Sequence, residues 1–335
     1  MQLEQRCRDL IHELALADPA EVLRIVPLTG GVASDIAMVD LGARKICAKF
    51  ALPKLKVAAD WRAPVHRNGA EYAWLSVAAA ATPRNAVQLY GRSATAHGFA
   101  MEYLEGPDVY LWKDHLLREA PIRGEAQGVA TLLGTIQAVS SKPVFDRTPF
   151  DNRNDFHALR IEPYLSHTRK AHPALAPHIA ALEGLLGQSE QVLVHGDASP
   201  KNILLRGRAP ILLDAECATM GDACFDPAFC LNHLVLKAVH LPGARAQLLA
   251  QLSAFWQSYA AHVVWEDAGA LERRVCALLP ALMLARVDGK SPVEYLSEAA
   301  RQAVRDVSIP LITRPLDRLD QIADHITTHL SGRTL

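Results

Sequence analysis

The sequence predicts an α+β fold in two unequal lobes, a small antiparallel β-rich lobe followed by a larger, mainly helical one. Three observations predict it. The chain of 335 residues exceeds what one simple core usually serves. Its apolar periodicity is two over residues 22–51 and close to 3.6 over most of the stretch from 122 to 330. The Gly106-Pro107 pair separates the two regimes.

The elements follow in order. MQLEQRCRDLIHELALADPA reads as an amphipathic helix with acids and bases mixed. It has neither the basic start nor the unbroken apolar stretch of a secretion signal. Residues 22–51 alternate, are rich in Val, Ile and Ala, and break at Gly30-Gly31 and around Asp40-Leu41-Gly42, which predicts three antiparallel strands. Helical spacing returns at 66–80, and strand-like runs follow near 86–91 and 97–103. The boundary is placed after Leu104, giving lobes 1–104 and 105–335. Beyond it helices are predicted at 122–140, 154–168, 174–187, 227–240, 244–264, 268–287, 293–307 and 315–330. One β island interrupts them, with runs at 191–195, 202–206 and 210–213.

Composition narrows the function classes. Half the residues are hydrophobic, 21% are charged and the net charge is −1, so no global field points to nucleic acid or a membrane surface. No apolar run reaches spanning length. The six cysteines lack C-x-x-C spacing and read as reduced thiols, so a cytoplasmic location is expected. The fourteen histidines show no ligand spacing.

The chemistry concentrates in VLVHGDASPKNILLRGRAPILLDAE, residues 192–216. An apolar strand delivers His195-Gly196-Asp197, Asn202 follows five residues later, and the next hairpin ends at Asp214. A carboxylate beside an attacking hydroxyl, with an amide and a second carboxylate to hold Mg²⁺ against phosphates, is the set that phosphoryl transfer from ATP requires. Taken singly, each residue also fits an Asx turn between strands. The β-rich lobe adds Gly30 and Gly31, in a turn able to bring backbone N–H groups to phosphates, or simply a hairpin turn. Lys49 lies in the third strand, where an ammonium suits the α- and β-phosphates, and Glu71 on the following helix suits an ion pair with it.

HGDASPKN followed by LLDAECATMGDACFDPAF resembles the aminoglycoside phosphotransferase and choline kinase superfamily. Asp214-Ala215-Glu216, Gly221 and Phe225-Asp226 are similar to the 5-methylthioribose kinase branch. The resemblance covers nearly the whole chain and implies a protein-kinase-like fold, ATP and Mg²⁺ as cofactors, and a small-molecule substrate. It implies Asp197 as catalytic base or orienter of the substrate hydroxyl, Asn202 and Asp214 as metal ligands, and Glu216 as a further one. Met101, Glu102 and Tyr103 become the hinge whose backbone reads adenine, and Asp226 braces the catalytic loop. There are departures. Ser199 stands where many relatives carry a basic or imidazole group. Only Arg286, preceded by Ala285, remains where the methylthioribose branch has adjacent arginines, and it is the cation expected to meet the acceptor.

Three classes stay open on the sequence: a metabolite kinase, an antibiotic kinase, and a nucleotide-binding protein without catalysis. From Leu231 onward acids and bases are balanced, which is unsuited to a polycation. The expected acceptor is therefore a neutral or anionic sugar, polyol or hydroxy acid. The alternative is a choline cage built from Trp256, Tyr259, Trp265 and Tyr295. Oligomeric state is not encoded in any feature of the sequence.

Overall fold

The computed structural model describes residues 3–28, 33–54, 56 and 63–331. Gly30 and Gly31 lie outside them, as does the end of the chain after Ser331.

The chain opens with helix α1 (Leu3–Glu13), which lies on one face of an antiparallel sheet. The strands are β1 (Arg24–Pro27), β2 (Ser34–Asp40), β3 (Lys45–Ala51), then β4 (Leu89–Ser93) and β5 (Gly98–Glu102), in the order β1-β2-β3-β5-β4. Helix α2 (Arg67–Ala81) sits between β3 and β4 in sequence. Alternation along β3 sorts the two faces. Ile46, Ala48 and Phe50 join Cys7, Leu10 and Ile11 of α1 in one small core. Cys47 and Lys49 point the other way, toward the cleft. The Phe50 ring covers Gly98, its register partner; a Cβ there would meet the ring at 2.3 Å, so only glycine fits.

After Glu102 the chain enters the larger lobe through β6 (Val109–Leu111), α3 (Trp112–Leu117) and α4 (Glu125–Ser140). A continuous helical segment follows, made of α5 (Arg153–Phe156), a π-helical stretch (His157–Ser166) and α6 (His167–Ala171), and then α7 (Ala176–Gln188). Strands β7 (Val192–Val194), β8 (Ile203–Arg206), β9 (Ala209–Leu212) and β10 (Thr219–Gly221) form the island. The helices α8 (Phe225–His240), α9 (Arg245–Ala260), α10 (Ala268–Asp288), α11 (Glu298–Thr313) and α12 (Leu319–Leu330) complete the lobe. α8 is buried almost along its length and is the central pillar on which α9, α10 and α11 pack.

The expected fold class is the one observed; α3 is an addition to the expected elements, and three of those differ locally. The island is two small sheets, β6-β8-β9 and β10-β7, because β6 and β10 are three-residue strands too short to carry a readable alternation. The helix expected at 154–168 is π-helical in its middle. Pro163 there offers no N–H to the preceding turn, and its own carbonyl accepts from Lys290 N at 3.1 Å. The helix expected at 293–307 starts later, where the Ser297 hydroxyl caps Ala300 N at 3.1 Å.

Candidate active site

The loop between β7 and β8 is set by what lies under it. β7 is three buried apolar residues that deliver His195. Gly196 has φ +80°, and a Cβ there would lie 3.0 Å from the Cys217 backbone oxygen, so the position requires glycine. At the start of α8 the buried Asp226 carboxylate accepts from His195 N at 2.7 Å and Gly196 N at 2.9 Å. Asp226 thus holds the backbone of the loop, the place the sequence reading gave it. Burial pushes its carboxyl up to about 7 against those two bonds. His195 is fully buried, edge-on to Trp74 at 4.7 Å, and burial lowers it to about 4; its Nδ1 accepts from Asp197 N at 3.1 Å.

Asp197 is held by two cations. Its Oδ2 lies 2.8 Å from Arg160 Nη2 and 3.2 Å from Lys201 Nζ, and its Oδ1 accepts from Ser199 Oγ at 3.2 Å. Burial alone would raise this carboxyl, but Lys201 and Arg160 outweigh it and hold it below the ordinary range. Asn202 donates its side-chain nitrogen to the Asp197 carbonyl at 3.1 Å, which turns its amide oxygen away from that carbonyl, and it lines the cleft.

Asp214 sits at the end of β9 in the left-handed region, at φ +68°. That conformation costs a non-glycine residue roughly 1 kcal/mol, least for Asp and Asn. Its N–H donates to Glu71 Oε1 at 3.1 Å, and its Oδ1 lies 2.5 Å from Lys49 Nζ. Lys49 also meets Glu71 Oε1, at 2.7 Å. Burial works against the Lys49 ammonium, and Asp214 and Glu71 overcome it, so the lysine stays charged.

Glu216 faces elsewhere. Its Oε2 accepts from Arg67 Nε at 2.8 Å, and the same buried guanidinium donates to the carbonyls of Ala33, Leu52, Ala63 and Pro64. Arg67 and Glu71 are four apart on one face of α2, and Asp214 and Glu216 are two apart after β9. One helix face therefore grips both acids' segment, at Glu216 through Arg67 and at Asp214 through Glu71.

Between the lobes lies a cavity of about 280 Å³. Ile36, Val87, Met101 and Leu204 supply apolar walls, and Lys49 and Asp214 a charged end; Glu102 and Tyr103 form part of its rim. The Glu102 carboxylate is turned to Arg206, at 3.0 and 3.2 Å, and its N–H donates to Gln88 O at 2.8 Å. An apolar slot closed by a lysine and hard oxygen donors suits a planar base with phosphates beyond it. Asn202 and Asp214 are two such donors on one wall, a set that fits Mg²⁺ when phosphate oxygens complete it. Among the described residues no three His, Cys, Asp or Glu side chains converge as a metal cage.

The structure thus gathers Lys49, Glu71, Asn202 and Asp214 around one cavity, with Asp197 beside them. Arg286 lies apart, in the last turn of α10. Its Nη1 donates to Ser291 O, to Ser291 Oγ at 3.2 Å and to Tyr164 OH at 3.3 Å. The four aromatics of the choline alternative do not meet as a cage. Trp256 lies tilted and Trp265 edge-on against the buried Tyr259, at 5.6 and 6.5 Å, whereas Tyr295 lies against His240 at 5.0 Å. Sequence reasoning missed Arg67, whose signal was its four-residue spacing from Glu71. It also left Arg160 undecided between cleft and surface; no local pattern says that this arginine reaches a loop 37 residues away.

A family model described as the phosphotransferase enzyme family matches residues 24–262. No curated protein matches the chain. Among solved structures, a choline/ethanolamine kinase family protein from Mesorhizobium loti is similar at a TM-score of 0.54 and 11% identity, over 98% of this chain and 94% of that one. The amicoumacin kinase hAmiN, solved with AMP-PNP, Ca²⁺ and Ami, is similar at 0.56 and 13%, over 96% and 100%. The choline kinase LicA from Streptococcus pneumoniae follows at 0.50 and 14%, over 99% of each chain. At these identities the likeness shows the fold, which is the two-lobed protein-kinase-like one. No helix among the described residues is long and apolar enough to cross a membrane. With the family model spanning the strand lobe, the loop at Asp197 and the first helices beyond it, the chain belongs to the phosphotransferase enzyme family.

Proposed function

We propose that the protein is an ATP- and Mg²⁺-dependent kinase that phosphorylates a hydroxyl of a small, neutral or anionic metabolite. The observation that carries this reading is the charged end of the cavity: Lys49 bound to both Glu71 and Asp214, with Asn202 on the same wall. In this reading residues 1–104 hold the nucleotide and residues 105–335 bring catalysis and acceptor. The adenine lies along Met101–Tyr103, and Gly30 and Gly31 contribute backbone N–H groups to the phosphates. Lys49 takes the α- and β-phosphates, and Asn202 and Asp214 are the metal's protein ligands. Mg²⁺ held there would supply positive charge to offset what develops on the phosphate oxygens. Glu216, committed to Arg67, acts by placing the Asp214 segment.

Asp197 receives or orients the acceptor hydroxyl. Held ionised by Arg160 and Lys201, it accepts a hydrogen bond from the hydroxyl and so suits an orienting role better than that of a strong base. Those two cations also stand where Ser199 leaves no basic group, and so supply positive charge to the transferring phosphoryl. The intact set favours catalysis over nucleotide binding alone, since a pure binder has no use for Asp197.

The test is ADP release from Mg·ATP across a panel of sugars, polyols, hydroxy acids, amino alcohols and aminoglycosides. One acceptor class should release ADP, and Asp197→Ala should lower turnover by roughly 10²–10⁴-fold while Mg·ATP still binds. Near-normal turnover in Asp197→Ala, or failure of the wild type to bind Mg·ATP, would remove the assignment.

A further inference from the structure

Phe229, His233 and Lys237 recur every four residues along α8 and form one buried stripe. Three other elements close over it. Tyr164, from the π-helical stretch, lies 5.4 Å from the Phe229 ring. The Arg286 guanidinium of α10 is 5.7 Å from the centre of the Tyr164 ring. Tyr295, from the segment before α11, takes the Lys237 ammonium over its ring at 5.4 Å.

The polar groups gathered here are one-sided. Lys237 is only 2% exposed, yet among the described residues its ammonium pairs with no carboxylate and donates only to the His233 carbonyl of its own helix, at 3.5 Å. Arg286 Nε and Tyr295 OH are also buried without a hydrogen-bond partner among the described residues. The neighbouring carboxylate, Glu294, is 70% exposed and engaged with Lys113 at 2.8 Å. A buried ammonium and two buried donors without an acceptor are costly unless something completes them. The π-helical stretch links this stripe to the reaction centre. Tyr164, which accepts from Arg286, stands four residues after Arg160, which holds Asp197.

We propose that Lys237, Arg286 and Tyr295 seat an oxyanion, a carboxylate or phosphate monoester, of the same molecule whose hydroxyl meets Asp197. This rests on the kinase reading and narrows its acceptor to an anionic one. It excludes amino alcohols and aminoglycosides, whose cationic groups would face Lys113, Lys237 and Arg286. Burial, then Lys113 and Arg286, push Lys237 down to about 7, with Cys230 and Glu294 acting weakly the other way. His233 is held neutral by burial and by Arg286, Lys237, Lys201 and Lys113. An arriving anion restores the charge of Lys237, so binding above neutral pH takes up a proton.

The experiment is calorimetric titration of the Mg·ADP-saturated protein with inorganic phosphate, D-glycerate and glycerol 3-phosphate, with glycerol and choline as neutral and cationic controls. At least one anion should bind more tightly than either control, with an enthalpy that depends on the buffer's ionisation heat at pH 8. Lys237→Met and Arg286→Met should each weaken it roughly tenfold, and Tyr295→Phe should do so less strongly, with Mg·ADP affinity moving less than about twofold. Lys237→Met should keep or raise Tm, which loss of a structural lysine would not do. No anion binding at millimolar concentration overturns the proposal. So does anion binding undiminished in the variants, which places the anion at the nucleotide's phosphates, or glycerol or choline binding as tightly as the anions. ADP release separates the two readings. Anion binding without turnover of any acceptor sinks the kinase and leaves the anion seat, whereas turnover of choline or glycerol but of no anionic acceptor does the reverse.

Discussion

The residues around the cleft are arranged as pairs that decide one another's charge. Arg67 and Glu216 are both buried, and the guanidinium has carbonyls for its remaining donors, so neither charge is stranded. His195 is the opposite case, a buried ring that must stay neutral. Its folded value is about 4, against about 6.5 for the free side chain, so the unfolded chain binds more protons between these values. Stability from the neutral ring is therefore complete above the upper value and lost as pH falls through the lower one. Asp226, raised to about 7, acts with the opposite sign: its contribution is present at low pH and lost as pH rises through that value. The clean measurement is therefore a difference. Between pH 7.5 and 5 the wild type should lose ~2 kcal/mol more unfolding free energy than His195→Asn, whose amide oxygen replaces the Nδ1 acceptor. An equal change in unfolding free energy with pH in the two proteins, measured by urea titration, would mean that the ring titrates alike in the folded and unfolded chain.

At the scale of elements, the β-rich lobe depends on α1. The helix covers the sheet face opposite the cleft with Cys7, Leu10 and Ile11. Leu10→Ala should cost about 2–5 kcal/mol, measured by denaturant unfolding, with nucleotide affinity kept because the cleft is on the other face. A loss under about 1 kcal/mol would show that α1 is an appendage. The π-helical stretch works differently. Its wider turn and the proline within it bring Arg160 and Tyr164 together, one toward Asp197 and the other toward Arg286.

For the whole molecule, the lobes are joined by charged contacts made across the cleft: Lys49 with Asp214, Arg67 with Glu216, and Glu102 with Arg206. A ligand bridging the same two walls adds to these links and stabilises only the folded state. Mg·AMP-PNP at one hundred times its dissociation constant should raise unfolding free energy by about 2.7 kcal/mol, and Asp214→Ala should abolish most of that gain. An unchanged Tm in scanning calorimetry at saturating nucleotide would contradict the cleft as the nucleotide site.

The sequence by itself determined the two-lobed α+β class, the order of the strands and helices other than β6, α3 and β10, and the residues Lys49, Glu71, Asp197, Asn202 and Asp214 as one candidate set. Those features are local: alternation, helical spacing, a turn dipeptide, and short motifs that end strands. Tertiary structure alone decided that Glu216 turns to Arg67, that Arg160 reaches Asp197, and that Lys237 is buried beside Arg286 and Tyr295. Each of these joins residues distant in sequence, or sets a charge by burial. A linear pattern carries neither, because a side chain's partner and its dielectric surroundings exist only once helices and strands have packed.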